Sequence, residues 1–461
     1  MNSKGLKIIF VTIILCGVLI SCKKELKPKE LIEKETTSTA LKPPISNIVV
    51  EYNEFEINPA KDTIIKHKSG AVIEVPKNAF LNAKGEVVTE NVNLKFRAFS
   101  NPLEIYLAGI PMTATINGEE KVYESAGMFE IIADQKGEKL YVNKERKIKV
   151  TLESFESDAN FNTYDLEEET EVWVETGKDK IQIKSKQEEL NKIPKRPTPP
   201  KKAGKYAFQI EDMLYENSEI SKYENVWFTP VDGKSCGFDS KDIKLKDLKN
   251  GTFEVTFVPW IEVEGTKTKC VCYLSFKDDS EYSLAIKDYQ KKYAKQIANE
   301  KAARASIEKE WDEYGVKLQE YKVFRARKEI KELKGSQKIL RTLQVNNFGF
   351  VNCDRPINIP KGGKIVVTYV DANGKKIKLK NVVLIEKGRN ALFRYTNEIK
   401  FNPNNENLLW GITKKGKLAY FSTENFKSLE TTTGNVTLQM NVHPKVLDTY
   451  DEIISVLFPN K

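Results

Sequence analysis

The residue types able to do chemistry are few. Histidine is the most restrictive: only His67 and His443 occur in 461 residues. A zinc centre built on two or three imidazoles is thereby nearly excluded. A Ser-His-Asp or Cys-His arrangement would have to use one of the two. His67 lies between Lys66 and Lys68, His443 precedes Pro444, and neither stands near a G-x-S-x-G nucleophile turn. Both are expected to be exposed or structural. Carboxylates are abundant; Asp354-Arg355 and Glu124 are candidates for contacts in a groove, and local ion pairs account for them equally well. No glycine-rich phosphate loop occurs. The reading therefore names no catalytic residue, no metal and no cofactor.

Cysteine offers more. Beyond Cys16 and Cys22 stand Cys236, Cys270, Cys272 and Cys353. In an oxidising compartment these four are candidate disulfide partners, with three possible pairings. Cys270 and Cys272 fall two apart on an expected strand and so share a face, which would strain a bond between them. The favoured pairing joins each to Cys236 or Cys353, stapling the second β-rich region to the start of the last. A four-cysteine metal site is the competing use, though no C-x-x-C spacing is present; free thiols are the third.

The first thirty residues set the compartment. Lys4 and Lys7 precede an apolar run of 13 residues, Ile8 to Ile20, followed by Ser21-Cys22-Lys23-Lys24. A basic n-region, a short apolar core and a small-residue cleavage site describe a secretory signal. The run is shorter than the ~20 residues needed to cross ~30 Å of hydrocarbon. Leu19-Ile20-Ser21-Cys22 resembles the bacterial lipobox. The resemblance implies that residues 1–21 are removed at the Ser21–Cys22 bond, that the Cys22 thiol takes a diacylglycerol and that its new amine is acylated. Each buried methylene then contributes ~0.8 kcal/mol to membrane attachment. Cys16 lacks the small-residue pattern and leaves with the signal. Residues 22–47, rich in Lys, Glu, Thr, Ser and Pro without apolar period, read as a lipidated flexible tether. No Asp follows Cys22, which by the lipoprotein sorting rule points to the outer membrane. Periplasmic face or cell surface stays open, although Lys23-Lys24-Glu25 is basic where a surface-export signal is acidic.

Removing 21 residues leaves 440, enough for two to four domains. A hydrophobic fraction of 40% and an aromatic fraction of 10% suffice for real cores. The net charge of +9 is a mild excess without a basic arm or arginine cluster. A nucleic-acid partner is not expected; anionic glycans or lipid head groups are compatible.

Stepping along the body, residues 48–184 read as a first β-domain of short strands separated by turns. Ala71-Val72-Ile73-Glu74-Val75 follows Ser69-Gly70, and Val92-Asn93-Leu94-Lys95-Phe96 alternates with period two. Ser69 to Phe80 is similar to the G-x-x-[apolar]-x-[apolar]-Pro-x-x-Ala core of the β-domain shared by ankyrins and netrin receptors. Three ordered strings, Val75-Pro76-Lys77-Asn78-Ala79-Phe80, Gly109-Ile110-Pro111-Met112 and Glu124 to Glu130 (E-S-A-G-M-F-E), resemble a group of uncharacterised envelope lipoproteins of Bacteroidota. That resemblance implies a β-fold and no activity.

Residues 185–205 carry Pro194, Pro197, Pro199 and Pro200 and read as a Pro/Lys-rich spacer. A second β-rich region is expected over 206–278, and a helical insertion over 279–338. In the insertion Tyr289, Tyr293, Ile297, Ile307, Trp311, Tyr314, Leu318 and Tyr321 step by three or four along one face. It would be one coiled-coil arm or a hairpin, with 302–306 and Gly315 as candidate breaks. A C-terminal β-domain over 339–461 includes a hairpin, Ile365–Val370 to Lys376–Leu379, around Asp371-Ala372-Asn373-Gly374. The expected fold is mainly β with an α-helical insertion: two or three antiparallel β-sandwich-like domains plus a long helix or helical hairpin. The expected function is a non-catalytic cell-envelope lipoprotein, held to the membrane by its lipid and binding another envelope protein or a glycan. The alternative is a carboxylate-based hydrolase of envelope glycan or peptide.

Overall fold

The alternating strands of the sequence assemble into several antiparallel sheets, joined by a few helices of which one is long, in the computed structural model of the chain. It describes residues 41, 43–210, 223, 226–236, 240–261, 269–325 and 335–459. The signal, Cys22 and nearly all of the tether lie outside the described residues. The chain divides into two units, one of 1–184 with 314–461 and one of 185–313.

In the larger unit the central strand is Glu119–Gln135, flanked by Val92–Phe99 on one edge and Gly349–Asn358 on the other. Beyond them lie Asn53–Ile57 and, on the far side, Asn162–Glu167 and Val172–Lys178. A second sheet runs Lys180–Ser185, Gln337–Gln344, Lys149–Ser154, Val72–Val75, Thr63–Lys66. Both sheets feed one core: Leu94, Phe96, Phe129 and Ile131 from the first, Ile73, Val150, Leu152 and Leu343 from the second. This arrangement corrects the expected separation of 48–184 from 339–461. Gln337–Gln344 and Gly349–Asn358 complete sheets begun before residue 184, so the two segments share cores. The physical reason is the ten-residue buried run Val122–Ile131, which leaves neither edge of its strand open to water.

A second core joins the short helix Pro102–Leu107 to the C-terminal sheets. Asn101 caps that helix, accepting from the backbone N–H of Leu103 and Glu104, with Pro102 at its first position. Tyr106 from the helix stands edge-on to the fully buried Trp410, ring centres 5.4 Å apart. The expected hairpin forms only at its tip: the Asp371 carboxylate accepts from the N–H of Asn373 and Lys375, and Ile377 N–H donates to Tyr369. Past it Gly363–Val370 pairs in parallel with Thr433–Gln439, whereas Leu379–Glu386 joins another sheet.

The smaller unit holds one sheet ordered Phe208–Gln209, Trp227–Pro230, Lys269–Phe276, Thr252–Pro259, Ser240–Asp247, with Lys201–Lys202 added in parallel to Lys269–Phe276. Phe228, Phe253, Val255 and Phe257 fill its core. The proline stretch is no free spacer. Thr198 N–H donates to Asn250, Pro197 accepts from the Tyr289 hydroxyl at 2.5 Å, and Ala203 N–H donates to Phe276.

The helical insertion is two consecutive helices, Asp279–Lys292 and Ala294–Lys322. Asp278 caps the first through Ser280 and Glu281 N–H. The break falls at Tyr293, correcting the candidates 302–306 and Gly315, both of which stay helical; Ala and Ser are tolerated there, and one glycine costs only ~1 kcal/mol relative to Ala. The 29-residue second helix is about 44 Å long. Its aromatic stripe is packing surface: Trp311 donates to Glu189 at 2.8 Å within the smaller unit. Within the larger unit Tyr314 and Tyr321 stack on Phe155.

Candidate functional site

The string Glu124 to Glu130 owes its glycine to a β-bulge. Opposite it, register passes from Asn352↔Met128 directly to Asp354↔Ser125, so Ala126 and Gly127 together face Cys353. Gly127 takes φ +147°, and a Cβ there would lie 2.9 Å from Leu152 Cδ1. The bulge brings the sequence candidates Glu124, Asp354 and Arg355 together.

Arg355 is the hub. Its Nε donates to Glu124 Oε2 at 2.7 Å, its NH1 pairs with Asp158, and its guanidinium lies 4.9 Å from the Phe161 ring centre. Asp158 is positioned in turn by a residue absent from the sequence candidates, Arg341. This fully buried arginine pairs with Asp179 at 2.5 Å and donates to the carbonyls of Glu156 (2.7 Å) and Asp158 (2.5 Å). The readable signal was its phase: Arg341 and Leu343 are buried two apart on Gln337–Gln344, and Val345 just beyond its end continues the alternation. Glu156, also unforeseen, accepts from the Tyr321 hydroxyl at 2.8 Å and from Arg325 at 2.5 Å, while burial raises its carboxyl above the ordinary range.

Asp354 faces inward. It is wholly buried, accepts from the Asn352 amide, and leaves its other oxygen without a hydrogen bond. Burial, reinforced by the nearby Glu124, pushes its pKa well above the usual carboxylate range and so favours the neutral acid. Asn352 is anchored by the Ser125 hydroxyl at 2.7 Å; Ser125 N–H donates to the Asn390 carbonyl, and the Ser125 carbonyl accepts from the Asn390 side-chain amide.

Along Gly349–Asn358 the strand Asn162–Glu167 reaches only Val351–Asp354, so among the described residues Arg355–Asn358 is laddered on the Glu119–Gln135 side alone. Pro356, lacking an N–H, suits that half-open stretch. Residues 355–361 line an open concavity of about 650 Å³. Ile116, Ile357 and Ile359 give it apolar surface; Lys121, Arg355, Lys361 and Arg389 supply cations, and Glu386 is the single carboxylate among its lining residues. Glu386 is itself buried and accepts from Asn402 N–H and the Asn405 amide. Apolar surface interspersed with ion-paired polar groups is the composition of a binding groove.

The other candidates lie elsewhere. His67 is buried, its Nδ1 2.8 Å from Ser69 Oγ, and edge-on to Phe96. Burial, with Lys68 and Lys317 nearby, lowers its pKa to about 4. His443 is half-buried, with Nδ1 beside the Lys445 backbone. Cys236 bonds to Cys270, closing a loop inside the smaller unit. Cys272 and Cys353 are not disulfide-bonded. The expected staple is thus corrected: Cys353 is buried in the larger unit's core, where burial drives its thiol pKa upward, and Cys272 in the core of the smaller unit.

Among the described residues no helix is long and apolar enough to cross a membrane. No protein-family profile, curated protein or solved structure matches the chain.

Proposed function

We propose that the chain is a lipid-anchored cell-envelope protein that binds, without converting, another envelope protein or a glycan through the groove at Arg355–Lys361. Residues 1–21 are its signal, Cys22 carries the lipid, 22–47 are the tether, and the outer membrane is its site. The two sheets that share the larger unit's first core form a sandwich of the kind the sequence motifs suggest.

The observation that carries this reading is the groove's make-up: apolar residues alongside four cations, with Arg355 braced by Glu124 and Asp158. Ion pairs on two sides, from the buried Glu124 and the part-exposed Asp158, restrict the guanidinium's rotamers, which is what recognition needs. A hydrolase would want two carboxyls facing each other across a cleft. Asp354 is enclosed and Glu124 is engaged by Arg355, which favours binding over hydrolysis.

The test uses the full chain, wild type and K361E/R389E, immobilised and offered detergent-solubilised outer membranes and a panel of envelope glycans. Capture by the wild type, lost in the variant, is the expected result. Turnover of a glycan or peptide with no capture would sink the proposal. Labelling cells with radioactive palmitate checks the anchor: label on the wild type and none on C22A is expected.

A further inference from the structure

We infer that Cys236, Cys270 and Cys272 form a site for the soft cation Cu(I), opened when the Cys236–Cys270 bond is reduced and closed when that bond re-forms. The three sulfurs lie within 4.8 Å of one another. Those of Cys236 and Cys272 are 3.9 Å apart. An ion bound by three thiolates at about 2.3 Å needs sulfurs about 4.0 Å apart, so this edge already has the right length. Cys270 and Cys272 are both buried on one face of Lys269–Phe276, a two-toothed clamp built by strand periodicity. Cys236, half-buried just before Ser240–Asp247, supplies the third corner.

The donor set chooses the metal. Among the described residues no histidine or carboxylate joins the cluster. Zinc prefers four ligands in a closed tetrahedron; thiolates alone select Cu(I), which accepts a lower coordination number. The surroundings are Phe228, Phe253, Val255 and Phe257, which offer no oxygen to a hard ion. Cys236 gives the site its opening toward water.

The chemistry balances with a dithiol as reductant. Two electrons and two protons pass to the Cys236–Cys270 sulfur–sulfur bond, which breaks to two thiols while the dithiol closes to a cyclic disulfide. Cu(I) then binds as the thiols release their protons to solvent, and copper does not change oxidation state. Re-oxidation by a disulfide-bearing oxidant removes two of three ligands and releases the ion. The site would hold copper under reducing conditions only.

The experiment takes the full chain, reduced with a dithiol under argon and freed of it, and titrates Cu(I) against bicinchoninate, a chromophoric Cu(I) chelator. One Cu(I) per chain is expected, with a thiolate-to-copper absorption band. The oxidised chain should retain none, C272S should bind roughly tenfold more weakly or worse, and C353S should match the wild type. Complete loss of Cu(I) from the reduced wild type to the chelator, equal retention by C272S, or equal loss in C353S would overturn the inference. If reduction unfolds the smaller unit, circular dichroism decides: refolding on one equivalent of Cu(I) supports the site, and failure to refold refutes it.

Discussion

Arg341→Met should cost the larger unit more than any other single change at the groove. The substitution keeps the volume and the apolar stem but deletes the guanidinium. Arg341 and Asp179 are both buried, and their 2.5 Å pair would become a lone buried carboxylate. Removing one partner of such a pair costs about 3–5 kcal/mol. The carbonyls of Glu156 and Asp158 also lose their donor, but their residues are half-buried and water can reach the loop, so no further full increment is added. At roughly 2 °C per kcal/mol for a unit of this size, the larger unit's thermal midpoint should fall by about 6–10 °C. Thermal unfolding followed by near-ultraviolet circular dichroism measures that shift, and urea unfolding measures the loss of free energy. The double variant R341M/D179N supplies the internal check, because it removes the stranded charge. It should recover about 2 kcal/mol relative to the sum of the singles. A loss below about 1 kcal/mol in R341M, or strict additivity with D179N, would show that the pair does not brace the loop.

Three further outcomes are expected. His67 is neutral when folded down to about pH 4, whereas the unfolded chain takes a proton near pH 6.5. Its contribution is therefore present above pH 6.5 and is lost as pH falls toward 4, by about 3 kcal/mol in all; the stability difference between wild type and H67Q should shrink by that amount, and a pH-independent difference would refute it. Asp354 has the opposite sign: its raised pKa favours folding below the unfolded value near 3.9 and loses that advantage as pH rises. D354N should match the wild type at pH 4 and exceed it at pH 7 in chemical denaturation; a variant weaker at pH 7 would contradict the raised pKa. Gly127→Ala forces a Cβ onto Leu152 at φ +147° and should cost about 1–3 kcal/mol. L152A in the same chain should relieve the clash and not the backbone strain, so a fully rescued double variant would count against the bulge.

The fold class was legible because the strands declare themselves locally. Val92–Phe99 and Val72–Val75 lie where period two puts them, and the aromatic stripe of the long helix is buried as its spacing suggests. Partner choice was not legible. Nothing in Gly349–Asn358 says that it pairs with a strand more than two hundred residues earlier, since alternation specifies a face and not a neighbour. The hairpin at Asp371 misled for the same reason: its turn chemistry is real, but tertiary pairing separates its arms. Glu124, Asp354 and Arg355 were named from sequence as groove or ion-pair candidates; of them Arg355 lines the groove, Glu124 pairs with it and Asp354 faces inward. Lys361, Arg389 and Asp158 sit in polar loops that look like any solvated loop. Cys236, Cys270 and Cys272 were named among the candidate partners, but which of them meet, and that Cys353 does not join them, is decided by sheet geometry and not by a motif spacing.

The placement of Gly349–Asn358 between Glu119–Gln135 and Asn162–Glu167 has a consequence for biogenesis. A chain made from its amino end presents both neighbouring edges long before the strand between them exists; Arg355 lies 231 residues beyond Glu124. During that interval the smaller unit has all of its residues and can close, while the larger waits with two sticky ladders. Formation of the central sheet is then a late, slow, high-contact-order event, and a chain passing through a membrane in that state would need a holding chaperone to shield it.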